Sequence, residues 1–158
     1  AGVTPSPRPV SSRQVLSINL FDKAAPSRGD SMDKLRTIVV DDHRAFRTLA
    51  GALLDDHPAI EVIAFGESGE EAVELCERHK PDLLLVDISM PRMGGLQAAR
   101  LIKAQDEPPH IVIVSNFDDA GHREHAAAAG ADNFIGKAEF MEGVDRVVTQ
   151  LQALRGAT

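Results

Sequence analysis

From Leu35 onward, short apolar runs alternate with stretches in which apolar positions recur every three or four residues. Residues 37–41 form a β-branched run ending in acids. Ala45, Leu49, Ala52 and Leu53 follow at i, i+4, i+7 and i+8, the stripe of an amphipathic helix that Pro58 closes. Residues 61–65 predict a second strand. Ser68 stands three residues before Glu71, a capping-box spacing that opens a helix reaching about His79, and Pro81 blocks its continuation. Residues 83–87 predict a third strand, followed by a loop holding Pro91, Gly94 and Gly95 and a helix over 96–104. Pro108 and Pro109 punctuate before a fourth strand over 110–115. An alanine-rich helix over 119–129 stops at Gly130, and residues 133–136 make a short fifth strand. The last helix starts near Glu139, with Phe140, Val144, Val147, Val148 and Leu151 on one face.

Repeated strand–helix alternation implies a parallel sheet, because each right-handed crossover lays its helix across one face. The first, third and fourth strands are almost wholly apolar, as strands covered on both faces are. The pattern therefore predicts an α/β doubly wound domain, with a five-stranded parallel sheet between two layers of helices. In such sheets sites form beyond the carboxyl ends of the strands, where the strand order reverses.

The opening of the chain breaks this pattern. Pro5, Pro7, Pro9 and Pro26, several serines and weak periodicity predict a flexible Pro/Ser-rich arm or extension over 1–34, with the folded domain over 35–155. Residues 10–21 are the stretch of the arm that could form a short element. Residues 1–31 are basic, with Arg8, Arg13, Lys23 and Arg28 against Asp22 and Asp30, so the −7 of the whole chain understates the acidity of the rest. That balance argues against direct nucleic-acid binding. No apolar run approaches the roughly 20 residues of a membrane span. Cys76 is the single cysteine, which excludes an internal disulfide and fits a reducing cytoplasm; its apolar neighbours predict a small buried hydrophobe.

The ends of the predicted strands carry the chemistry. The first ends in Asp41 and Asp42, the third in Asp87, the fourth in Ser115 and Asn116, and Lys137 follows the fifth. Carboxylates crowded at one sheet edge repel, so at neutral pH they must be protonated or share a cation. A hard divalent ion with oxygen ligands answers this, and magnesium suits a site with few carboxylates and several waters. Carboxylate, magnesium, lysine and hydroxyl are also the groups that phosphoryl transfer uses. No Gly-rich nucleotide cradle occurs in the sequence, which argues against ATP as the direct donor.

Together these segments resemble the receiver domain of two-component response regulators. The resemblance rests on Val39-Val40-Asp41-Asp42, on the stretch from Leu84 through Asp87, Ser89 and Pro91 to Gly95, on Val114-Ser115 and on Phe134-Ile135-Gly136-Lys137. It covers roughly residues 35–152 and implies a flavodoxin-like sheet in the order 2-1-3-4-5. It makes Asp87 the phosphoacceptor. Asp42 and Asp87 then bind Mg2+ through carboxylates, Asp41 mainly through water and Ser89 through its backbone carbonyl. Lys137 pairs with the phosphoryl group, Ser115 hydrogen-bonds it, and Phe134 is the aromatic switch that turns inward as Ser115 moves. The implied donor is phosphohistidine on a sensor histidine kinase or histidine phosphotransfer protein. The implied output is a downstream protein partner or a covalently linked output domain. Homodimerisation is a habit of the family, and the Asp41-Asp42-His43 opening leans toward the subgroup with helix-turn-helix outputs.

Four positions depart from the family pattern. Ala138 stands where proline is usual, and Asn116 stands where a small residue is common, its bulk expected to hinder Phe134 from swinging inward. Ser89 and Phe117 occupy positions that tune loss of the phosphoryl group, Phe117 being expected to shield the site from water. His122 and His125, three apart on a helix, read as a solvated face. His43 reads as a helix N-terminal residue without catalytic duty. Two other functions compete. An acid-nucleophile phosphatase usually needs a second acid two residues after its nucleophile, where Ser89 stands. A phosphorylation-independent interaction scaffold is the alternative that Asn116 and Ala138 favour and the intact acidic set opposes.

Overall fold

The computed structural model describes residues 34–156. The expected arm over 1–34, all but Lys34, and its candidate element over 10–21 lie outside the described residues. Five strands are present: β1 (Leu35–Val40), β2 (Ile60–Gly66), β3 (Leu83–Asp87), β4 (His110–Ser115) and β5 (Asn133–Gly136). The helices between and after them are α1 (Arg44–Asp55), α2 (Gly69–His79), α3 (Gly95–Lys103), α4 (Ala120–Ala128) and α5 (Phe140–Gly156), and a 3-10 turn (Lys137–Glu139) leads into α5. All strand pairs are parallel and the order is β2-β1-β3-β4-β5, as expected. Strand order therefore reverses between β1 and β3.

Period-2 alternation divides the core into two layers. Leu35, Val39, Leu83, Leu85, Val112, Val114 and Ile135 face α1 and α5, whose Ala50, Leu54, Val144, Val147 and Val148 pack on them. Ile38, Val40, Leu84, Val86, Ile111, Ile113 and Phe134 face α2, α3 and α4. Small residues let that second layer close, with Ala72, Ala98, Ala99, Ala126 and Cys76 buried there. Burial drives the Cys76 thiol up to about 12, the behaviour of an inert hydrophobe.

Element ends follow local chemistry. β1 begins at Leu35, earlier than its β-branched run suggests, because Leu35 N donates to Ala59 O at 2.7 Å and pairs with Ile60. Ser68 caps α2 by accepting from Glu71 N at 3.2 Å, but the predicted capping box is modified. Glu71 Oε1 accepts from Glu67 N at 2.6 Å, one residue before the cap, which braces the turn out of β2.

Candidate functional site

Side chains of β1, β3 and β5 that face α1 and α5 have odd numbers, and that parity continues past the strand ends. It carries Asp41, Asp87 and Lys137 to one side of the sheet edge. The carboxylate of Asp41 is 1% exposed and that of Asp87 is 6% exposed, and Lys137 Nζ lies 2.7 Å from Asp41 Oδ2 and 3.6 Å from Asp87 Oδ1. Asp42 and His43 complete the group: ligand atoms of Asp41, Asp42, His43 and Asp87 all lie within 4.8 Å of one another. Asp87 is held from behind, where a Cβ on Gly95 would overlap the Asp87 carbonyl oxygen, so only glycine lets α3 start so close to β3.

Burial, followed by repulsion from Asp41, pushes the Asp87 carboxyl up to about 6, with Lys137 pulling against them and Asp42 adding to the rise. At neutral pH Asp87 is still mainly ionised, yet more basic than an ordinary carboxylate. Asp41 Oδ2 and Asp42 Oδ1 are shut from solvent without an aligned hydrogen-bond donor. Their near neighbours, Lys137 Nζ at 2.7 Å and His43 Nδ1 at 3.2 Å, do not line up as donors to these atoms. Buried carboxylate oxygens left in that condition fit a hard divalent cation.

The other expected residues lie elsewhere. Ser115 shares the parity of Ile111 and Ile113, which on β4 puts it on the α2–α4 side of the sheet, opposite Val112 and Val114. It is fully buried, and its Oγ accepts from Phe117 N at 3.0 Å. Ser89 is exposed in the loop after β3. Phe134 is 9% exposed beneath the Arg123 guanidinium, whose carbon lies 4.8 Å from the ring centroid. Asp118 holds that guanidinium from Nε at 2.6 Å and from the second nitrogen at 3.0 Å.

Two expectations about bulk change. Asn116 is exposed while Phe134 is buried, so the two do not compete for one space. Phe117 does not cover the site; it is 61% exposed and stacks on His122, centroids 5.5 Å apart. His122 is engaged by Asp119 at 2.8 Å, and His125 is exposed on the same helix, as a solvated face requires. No peptide bond among the described residues is cis, that between Lys137 and Ala138 included.

Sequence reasoning passed over two neighbours. His43 N donates to Asp41 Oδ1 at 2.8 Å, and its Nδ1 lies 3.2 Å from the same oxygen, so His43 belongs to the acidic group. Arg47 donates to the Asp41 carbonyl at 2.7 Å. Its place one turn along a helix that starts at the acids was the signal for it.

A family model described as the response regulator receiver domain matches residues 37–148, more than half of the chain. The chain belongs to that family. Among similar receiver-containing proteins is the transcriptional regulatory protein DegU of Brevibacillus brevis, 35% identical over 103 residues, which are 65% of this chain and 44% of that protein. A protein-glutamate methylesterase/protein-glutamine glutaminase of Alkalilimnicola ehrlichii is 37% identical over 122 residues, 75% of this chain and 31% of the relative. The match thus spans under half the length of these relatives, in which the receiver is one part of a longer protein. Among solved structures, the signal receiver domain of the putative response regulator NarL from Mycobacterium tuberculosis superposes with a TM-score of 0.71 at 28% identity. That alignment covers 77% of this chain and 98% of the NarL domain. This receiver thus has relatives with both transcriptional and enzymatic names, while its own described residues are those of the receiver. None of its described helices is long and apolar enough to cross a membrane.

Proposed function

We propose that this receiver accepts a phosphoryl group on Asp87 in a magnesium-dependent reaction. The donor is phosphohistidine on a sensor histidine kinase or a histidine phosphotransfer protein. The output is a downstream protein partner or a covalently linked output domain, with the arm over 1–34 distinct from the receiver over 35–155. The chain then catalyses only its own phosphorylation and dephosphorylation, in the cytoplasm.

The observation that carries this reading is the meeting of Asp41, Asp42 and Asp87 with Lys137 Nζ at 2.7 and 3.6 Å from two of them. Asp42 and Asp87 would hold Mg2+ through carboxylate oxygens, Asp41 through water and Ser89 through its carbonyl. Bound there, the ion neutralises charge at the acids and on the transferring group. Asp87 is ionised at neutral pH and sheltered from water, as an oxygen nucleophile must be. One of its oxygens bonds to phosphorus as the P–N bond to the donor imidazole breaks, and that electron pair leaves on nitrogen. Lys137 is already within reach of both Asp41 and Asp87, so its ammonium can follow charge from the acids to the phosphoryl oxygens. Ser115 starts on the opposite face of the sheet, so donating to a phosphoryl oxygen requires the segment after β4 to move. That movement couples the site to Phe134 on the same face, a discrete repacking of the kind that switches use.

Intact mass after incubation with acetyl phosphate and magnesium tests the reading. One phosphoryl adduct is expected in the parent, and none in Asp87→Asn or in a chelator control. An equal adduct in Asp87→Asn would place the acceptor elsewhere and contradict it, and no adduct in the parent would favour a scaffold that works unphosphorylated.

A further inference from the structure

Lysine carries its charge on a flexible four-carbon stem, so something must fix where the ammonium sits. Two carboxylates flank Lys137 Nζ on one side. On another lies the ring of Phe46, its centroid 4.3 Å from Nζ, inside the roughly 6 Å range over which an aromatic face attracts a cation. The Lys137 side chain is 11% exposed, so water screens this attraction little. Phe46 is itself held: it stands in the first turn of α1, and the Phe140 ring meets it edge-on at 5.3 Å and 82°. Phe140 N donates to Lys137 O across the 3-10 turn. Phe46 therefore touches both ends of the turn that presents the ammonium.

We propose that Phe46 is a positioning residue for phosphoryl transfer, its ring face keeping the Lys137 ammonium at the acidic site. This rests on the phosphoacceptor reading above. The acids alone do not fix Lys137, because the partner it contacts most closely, Asp41, changes its own partners once a cation binds. The ring does not. It neither titrates nor binds metal, so it holds the ammonium beside Asp87 while the carboxylates turn to other ligands. A leucine of similar bulk would keep the packing on α5 but offer no quadrupole to the cation.

The test uses the full chain with 13C-labelled lysine, the Lys137 signal being identified by its loss in Lys137→Arg. The Lys137 ε-methylene, lying under a ring face, is expected upfield of the other lysines in the parent and in Phe46→Tyr, and shifted back in Phe46→Leu. The initial rate of adduct formation from sub-saturating acetyl phosphate with magnesium is expected to fall about fivefold to tenfold in Phe46→Leu and little in Phe46→Tyr, the size of a moderate cation–π contribution. Phe46→Met serves as the second variant should Phe46→Leu fold poorly, and unfolding curves separate lost positioning from lost folding. An ordinary ε-methylene shift in the parent overturns the contact. A shift lost on substitution with the rate unchanged overturns the positioning role. If the parent itself takes no phosphoryl group, the phosphoacceptor reading has failed and the proposal falls with it; an adduct in the parent that ignores Phe46 sinks this proposal alone.

Discussion

Asp87 is forced to ionise beside two other acids, and that cost can be measured. Its carboxyl is pushed from 3.8 up to about 6, so it contributes stability that is present below about 4 and lost as pH rises through 6. In a chelator, Asp87→Asn is expected to match the parent near pH 4 and to exceed it by about 1–2 kcal/mol at pH 8, several degrees in Tm. Thermal melts across that pH range check this, and a gap that closes rather than opens with rising pH would show the sign to be wrong. Ser115 makes a different case. Its Oγ accepts from Phe117 N in a buried position, so Ser115→Ala is expected to lower stability by about 1 kcal/mol in denaturant titration through the amide left unpaired. The residues of the site were legible because strand ends and their order were legible. Which face each would occupy was not stated from the sequence, because it follows from the register between strands: β3 sets Asp87 opposite Val114, which leaves Ser115 on the other face with Phe134. His43 and Arg47 were missed because their contacts run to Asp41 through its carboxylate and its backbone, contacts that no apolar spacing announces.

At the scale of elements, the tight turn after β3 does more than connect. A Cβ on Gly95 would overlap the Asp87 carbonyl, and Gly95→Ala is expected to cost about 1–3 kcal/mol and to displace Asp87. Urea unfolding reads the first effect, and the yield of phosphoryl adduct reads the second. Ser68→Ala should cost about 1 kcal/mol in the same assay, since it removes the cap of α2. Strand and helix positions were readable because the periods of 2 and 3.6 are each imposed by a buried layer. The start of β1 was less so, since Leu35 and Arg36 join the strand through Ala59, Ile60 and Asp82, partners distant in sequence. The capping box failed in its second half for a similar reason: the bend out of β2 offered Glu67 N in place of the cap's own amide.

For the whole molecule, ion binding and stability are linked. A ligand that binds the folded state alone stabilises it by RT ln(1 + [L]/Kd), about 2.7 kcal/mol at a hundredfold excess over Kd. Magnesium should therefore raise the Tm of the parent, and much less that of Asp42→Asn, which removes one of the carboxylates expected to hold it. An equal rise in both, read by scanning calorimetry, would place the ion elsewhere. Strand order and layer packing were readable as a consequence of right-handed crossovers, whereas partner and output lie beyond what the receiver's own residues encode. The measurement that tests the central claim most directly is borohydride trapping after phosphorylation, followed by peptide mass mapping. Reduction of an acyl phosphate converts the aspartate to homoserine, marking the acceptor itself. The account predicts homoserine at position 87 alone, dependent on magnesium. Homoserine at 41 or 42, or none in a protein that carries the adduct, would contradict it.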